Sequence, residues 1–313
     1  MKETSPGKTC VIGAGYVALE CAGFLTGLHQ GEVTVLVRST PLRSFDKDVV
    51  NYVQDYMMKK GTKIITGVQP KSITKLPSGR LLVAYGDDGV KEEFDTVLEA
   101  IGRTPDLSGL NLSALNGVVK INESSGKIIT TNEQTSVPHV YAIGDIVYGA
   151  PELTPVAILA GQLLAKRLFA SSKETIEYHT IATAVFTPLE LGTVGLSEIE
   201  AQEKYGASNV DCYVSSFTPL EWTIAEQYTD LSGFAKIVVH MDAEKPGVQR
   251  VVGMHIASPN AGEIIQGYGL AVKKGLTYKE LVSMVGIHPT VGEEFTTMTI
   301  TKSSGASIAK TGC

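Results

Sequence analysis

The stretch Thr9-Cys10-Val11-Ile12-Gly13-Ala14-Gly15-Tyr16-Val17-Ala18 decides the fold. Residues 9–12 read as a short buried strand that runs into glycines. From residue 16, Val17, Leu19, Ala22, Phe24, Leu25 and Leu28 recur at helical spacing, and Val33–Val37 (Val-Thr-Val-Leu-Val) reads as a second strand. Strand, glycine turn, helix and strand within residues 9–37 predict a βαβ unit. Such a crossover is right-handed in nearly all cases and implies a parallel sheet.

Gly13-Ala14-Gly15-Tyr16-Val17-Ala18 fits the pattern G-x-G-x-x-G/A. Gly13 permits the tight turn, Gly15 lets a pyrophosphate approach the backbone, and small Ala18 lets helix and strand pack closely. Free N–H groups at the helix start, with the positive end of its dipole, bind phosphate. Alone the match is weak, but between a strand and a helix it stands in the required context. An NAD-binding unit carries an acid at the end of the second strand. Here stand Arg38 and, five residues on, Arg43. Two guanidiniums pair with a 2′-phosphate, so NADP(H) is expected over NAD(H). The alternative is that both arginines are solvated surface charges.

Outward from this unit, a helix is expected over about Asp46–Lys60, with Asp46 as N-cap and Gly61 as stop. Strands are expected at Lys63–Thr66, Ser72–Lys75, Arg80–Tyr85 and Thr96–Ala100, the middle ones as an antiparallel meander. Residues 1–103 thus read as an NADPH-binding domain. Residues 104–178 are loop-rich and offer only a short strand, Val140–Ile143, and a helix near Val156–Phe169. From 179 to 301 the strands Thr183–Phe186, Asp211–Ser215, Ala235–His240 and Val251–Ala257 precede helices at about Ala261–Lys274 and Tyr278–Val285. That is an α+β domain with antiparallel strands. Residues 302–313 are polar, rich in small residues, and expected to be flexible. The fold class is α/β: a Rossmann-like NADPH-binding domain, a segment that must pack on something else, and an α+β domain.

Two further segments carry chemistry. Tyr141-Ala142-Ile143-Gly144-Asp145 is a strand ending in Gly-Asp, and an Asp after a glycine suits a sugar-like polyol such as the ribitol of FAD. Glu152, Leu153 and Thr154 open the following helix, whose N–H groups could face a flavin. Alone, Gly144-Asp145 is an ordinary turn. Near the C-terminus, Pro289 holds His288 out of helical conformation and suits a first helical position. A carboxylate from the following segment, which holds Glu293 and Glu294, would fix the His288 tautomer and raise its basicity. That arrangement suits an acid/base acting on a thiol leaving group. The other five histidines read as structural or surface residues.

The formal net charge of -6 argues against a nucleic-acid partner, and no apolar run is long enough to suggest a membrane span. The four cysteines, Cys10, Cys21, Cys212 and Cys313, include no C-x-x-C pair and no metal site is expected. Cys10 and Cys21 sit among apolar neighbours and read as buried thiols. Cys313 is the last residue and follows a glycine.

Taken together these residues resemble the pyridine nucleotide-disulfide oxidoreductase family, and within it the high-molecular-weight thioredoxin reductases. The resemblance runs over nearly the whole chain, and it implies that residues 104–178 are part of an FAD domain and residues 179–301 an interface domain. It is carried by residues 16–25, Val37-Arg38-Ser39, Tyr141–Asp145, Glu152–Ala157, Val185–Leu189, Pro259-Asn260-Ala261-Gly262-Glu263 and Gly286-Ile287-His288-Pro289-Thr290. It implies an NADPH-dependent, FAD-containing thioredoxin-disulfide reductase, a head-to-tail homodimer with thioredoxin as partner, in the cytoplasm or mitochondrion. Glu20 would lie near the nicotinamide and flavin. Gly102 and Arg103 join the cofactor-binding set with Gly13, Gly15, Ala18, Arg38, Arg43, Gly144, Asp145, Glu152, Leu153 and Thr154. His288, oriented by Glu293, would protonate a leaving thiolate. Cys313 would stand beside a selenocysteine in a redox tail. The family's N-terminal FAD-binding turn and C-x-x-x-x-C pair are not in this chain, so a truncated member is expected, with apolar surface exposed over residues 104–175. The alternatives are a thioredoxin-glutathione or glutathione reductase fragment, or a non-catalytic NADPH-binding, dimerising product.

Overall fold

The computed structural model describes residues 5–115, 118–224, 232–242 and 245–309. They form two compact units. One runs up to Ile101 and resumes at Thr180; the other is Gly102–His179.

In the first unit, β1 (Thr9–Ile12), α1 (Tyr16–Gly27), β2 (Val33–Val37), α2 (Lys47–Lys59), β3 (Thr62–Thr66) and β7 (Thr96–Glu99) build a parallel sheet ordered β3-β2-β1-β7. Every residue of β1 and β2 is buried, as their unbroken runs require. Asp46 caps α2 by accepting from the Asp48 N–H at 3.0 Å. A second sheet, β4 (Pro70–Lys75), β5 (Leu81–Tyr85) and β6 (Val90–Phe94), is an antiparallel meander. Its third strand was not expected. Val-Lys-Glu-Glu-Phe buries only Phe94 fully, so its charges mask the alternation.

The same unit holds an antiparallel sheet ordered β10-β11-β12-β9-β8. Its strands are β8 (Thr183–Val185), β9 (Leu191–Gly195), β10 (Val210–Phe217), β11 (Gly233–Met241) and β12 (Gln249–Ala257). The helix α5 (Ala261–Lys273) packs beside it, and α6 (Tyr278–Val282) follows. β9 escaped the sequence reading because two of its five residues are glycine. Those glycines admit neighbours: a Cβ at Gly192 would lie 2.6 Å from the Ala261 carbonyl oxygen, and one at Gly195 2.2 Å from that of Val252. Also unforeseen is α4 (Glu198–Tyr205), started by a Ser197/Glu200 capping box. α6 stops at Val282, short of the expected Val285, which is exposed. One hydrophobic core runs from Val35, Leu19 and Met57 to Leu191, Val214 and Phe234, with Tyr52 stacked on Phe234 at 4.5 Å.

The second unit is built around α3 (Thr154–Phe169) and a small core of Val119, Ile128, Val137, Ala142, Val147 and Ala150. The expected strand Val140–Ile143 does not form; Tyr141 makes a single antiparallel bridge to Gln134. Its partner is a tight turn with Asn132 and Glu133 at φ 49° and 65°, so no ladder extends from the bridge. Glu133, 2% exposed, is held by the Arg167 guanidinium and by the Tyr178 hydroxyl at 3.0 Å. Burial, then the Glu133 carboxylate, pushes the Tyr178 phenol up to about 12. Ile143, Tyr148, Ile158, Leu159 and Phe169 are exposed on this unit.

The tail is described over residues 302–309. Lys302–Ser304 is a 3-10 turn, and the Ser216 N–H donates to the Ile308 carbonyl at 2.9 Å. An N–H group on the sheet edge thus donates to this segment, an attachment that its polar composition does not signal.

Candidate functional site

The glycine turn lies between β1 and α1. Gly13 has φ 128°, and a Cβ there would stand 2.2 Å from the Ala100 carbonyl oxygen, so the position excludes every side chain. Ala18 is fully buried, and its Cβ lies 3.5 Å from where a Cβ on Gly13 would be. Gly15 is the N-cap of α1, with no side-chain cap, and a Cβ there would meet nothing within 4 Å. The protein's own packing therefore does not demand glycine at 15. The space it leaves lies at a helix start whose N–H groups have no capping side chain, which suits a phosphate.

Arg38 and Arg43 are exposed, and no ion pair or hydrogen bond occupies either guanidinium among the described residues. Their loop is fastened to the glycine turn, because the Leu42 N–H donates to the Ala14 carbonyl at 2.8 Å. Nothing in the composition signalled that tie. It brings an unpaired basic loop to a phosphate-type turn. Glu20, on α1, accepts from the Phe186 N–H at 2.8 Å, and Gly23 of the same helix meets Pro188. Glu20 thus joins the helix to the Phe-Thr-Pro loop that follows β8.

In the second unit Gly102 has φ 101° with open space where a Cβ would go, and Arg103 is exposed. Gly144 is buried at φ 76°, with its Cβ position 3.3 Å from the Ala157 Cβ, so the turn into Asp145 seats on α3. Asp145 is exposed and unpaired among the described residues. Leu153 is the N-cap of α3, with no side-chain cap; Thr154 begins the helix and Pro155 sits in its first turn. Glu152 is paired instead, with Lys127 Nζ at 2.6 Å. The open carboxylate at Asp145 and uncapped N–H groups at Thr154 fit a polyol and a polar ring edge.

His288 Nδ1 lies 2.8 Å from Glu293 Oε1, and the imidazole is 60% exposed. A carboxylate accepts, so Nδ1–H donates and Nε2 is left to exchange a proton with a neighbour. Gly286 permits this: a Cβ there would stand 2.6 Å from the Glu293 Cβ. Pro289 does not begin a helix as expected. The His288–Pro289 bond is cis, and the next turn starts at Val291. Thr290 Oγ1 closes the loop on the Ile287 carbonyl at 2.7 Å.

Cys10 is fully buried, and burial pushes its thiol up to about 12; burial does the same to Cys212. Cys21 is only half-buried, contrary to expectation, because its face of α1 is partly open; burial, then Glu20, raises it. Cys313 lies outside the described residues. No group of His, Cys, Asp and Glu among the described residues could hold a metal ion, and no described helix is long and apolar enough to cross a membrane.

A buried ion cluster was missed altogether. Lys236, 1% exposed in β11, meets Asp46 at 2.9 Å, Asp48 at 2.6 Å and Glu198 at 2.6 Å. The available signal was a lone lysine inside the apolar run Gly-Phe-Ala-Lys-Ile-Val-Val, which must find carboxylates to be buried. Burial disfavours the charged forms of Asp48 and Glu198, but the Lys236 and Lys302 ammonium groups more than reverse this and hold both below the usual carboxylate range. Behind the cluster His255 is wholly buried; burial lowers its pKa against the attraction of Asp46. Its Nε2 donates to the Leu196 carbonyl at 3.0 Å, and Nδ1 accepts from Thr193 Oγ1 at 2.6 Å, which is the neutral tautomer.

A parallel sheet with a glycine turn, joined through one core to an antiparallel sheet, defines a Rossmann-like nucleotide-binding protein with an added α+β domain. Residues 1–161 match the pyridine nucleotide-disulphide oxidoreductase family and residues 181–299 match its dimerisation domain. The chain belongs to the pyridine nucleotide-disulphide oxidoreductase family. It is also 45% identical over 322 aligned residues to thioredoxin reductase SEP1 of Emiliania huxleyi, an alignment that covers 99% of this chain and 63% of that protein.

Proposed function

We propose that this chain carries the NADPH site, part of the FAD site and the acid/base pair of an NADPH-dependent thioredoxin-disulfide reductase. The observation that carries the reading is the His288–Glu293 pair at 2.8 Å, on a loop shaped by Gly286 and open to a large substrate. Gly13, Gly15 and Ala18 would seat the pyrophosphate of NADPH, and Arg38 and Arg43 its 2′-phosphate. Asp145, Gly144, Leu153 and Thr154 would hold FAD, with Gly102, Arg103 and Glu152 at the edges of that set. Glu20, already bound to the Phe186 N–H, would fix the loop beside the nicotinamide. When bound, the two cofactors supply a hydride equivalent that ends as an electron pair on a disulfide.

What the protein adds is proton control. Glu293 keeps the proton on Nδ1 of His288, and Nε2 then delivers or takes a proton at the leaving sulfur, which would otherwise depart as a costly thiolate. The working form is a homodimer, thioredoxin is the disulfide partner, and Cys313 belongs to the redox tail. The place of work is the cytoplasm or mitochondrion. The test is NADPH-dependent reduction of thioredoxin by the FAD-loaded protein, with and without His288→Gln. A loss of about 100-fold or more in kcat, with cofactor binding intact, is expected. An unchanged kcat would remove His288 from the chemistry.

A further inference from the structure

We propose that residues 302–309 form a releasable strap over the edge of the antiparallel sheet, and that Lys302 is its fastening. β10 is an edge strand, paired on one side with β11. On its other side the Val214 and Ser216 N–H groups donate to the Ile300 and Ile308 carbonyls at 3.0 and 2.9 Å. The chain thus covers its own sheet edge, which otherwise offers a row of unpaired groups to another strand.

Little apolar packing holds this cover. Ser303-Ser304-Gly305-Ala306-Ser307 has no large apolar side chain, and Ile308 alone joins the neighbouring core. The hold is polar. Lys302 Nζ lies 2.8 Å from Asp48 Oδ2 and 2.7 Å from Glu198 Oε2, the same two oxygens that meet Lys236. Ser303 Oγ adds a bond to Asp211 Oδ2 at 2.5 Å. Lys236 alone faces three carboxylates, so the cluster has two negative charges in excess until Lys302 supplies a second cation.

The two lysines differ in access. Lys236 is sealed, whereas the Lys302 side chain is 46% exposed and lines a cavity of about 240 Å³ with Arg43, Asp48 and Glu198. The inner lysine is permanent structure, and the outer one can be displaced by solvent ions. Opening withdraws only Ile308 from the core, and it uncovers β10. Lys302 is therefore a positioning residue for residues 303–309, independent of the role given to His288.

Hydrogen exchange of the full chain, read at the Ser216 amide, tests this. In Lys302→Met the account expects exchange about tenfold faster or more, with Lys302→Arg restoring protection and the Val238 amide within the sheet unchanged. Raising salt to about 0.5 M in the unaltered protein should accelerate Ser216 in the same direction, because screening acts on the exposed pair first. That arm needs no folded variant. Ser216 exchange indifferent to both Lys302→Met and salt would overturn the strap.

Discussion

Residues 9–37 and 140–157 carry similar local signals, a short apolar run, a glycine and a helix start, yet they fold differently. In the first, β1 has a parallel partner on each side and every strand residue is buried. In the second, Tyr141 makes one bridge, while Gly144 and α3 stand where the sequence put them. The lesson is that glycine turns and helix starts are local properties. A strand becomes a ladder only where a neighbour offers a matching edge. The two regions also differ in what holds them: a shared core and a sealed ion cluster in one, a small core and a single buried pair in the other.

Substitutions sharpen that contrast. Lys236→Met leaves three carboxylates facing each other with only Lys302 near, and should cost about 3–5 kcal/mol in denaturant unfolding. Arg167→Met in the second unit should cost about 1–3 kcal/mol, because the Tyr178 hydroxyl still binds Glu133. A larger loss for Arg167→Met would reverse the ranking of the two regions. The glycines make a second pair. Gly13→Ala drives a Cβ into a backbone carbonyl at positive φ and should cost about 3 kcal/mol. Gly144→Ala meets only the Ala157 Cβ at 3.3 Å and should cost about 1 kcal/mol. Equal costs would mean that the second turn is as tightly built as the first.

The smallest effect is a pH dependence near neutrality that rests on His255 in the first unit. His255 is a base whose folded pKa is depressed, so the unfolded chain takes up a proton first as pH falls below about 6.5. Stability should fall from there toward the lower folded value, by at most about 1.4 kcal/mol per pH unit, and His255 should add no slope above that window. Asp48 and Glu198, with lowered folded values, act lower down. Their contribution is present above the ordinary carboxylate range and is lost as pH falls through the folded values. Unfolding followed between pH 7 and 5 should lose part of its slope in His255→Gln. A slope identical in both chains would assign it to other groups.

Much of the architecture was legible because it was written in short-range patterns. The βαβ unit, the Asp46 cap, the meander and α5 all follow from runs, periodicity and capping residues. What was hidden depends on partners far along the chain. β6 looks too charged and β9 too rich in glycine until α5 is packed against Gly192. Lys236 shows no purpose until Asp46, Asp48 and Glu198 converge on it. At the candidate site, Gly13, Arg38, Arg43 and His288 could be chosen from residue type and position. The Leu42–Ala14 tie and the space reserved by Gly286 could not, since each depends on how two segments of chain approach each other.

The central claim is that the glycine turn and its fastened arginine loop form an NADP(H) site. Titration calorimetry of NADP⁺ and NAD⁺ against the full chain, with and without Arg38→Gln/Arg43→Gln, tests it most directly. The account predicts that NADP⁺ binds about 10- to 100-fold more tightly than NAD⁺, and that the double substitution removes this preference while leaving NAD⁺ binding in place. Equal affinity for the two nucleotides in the unaltered chain, or a preference untouched by losing both arginines, would contradict it.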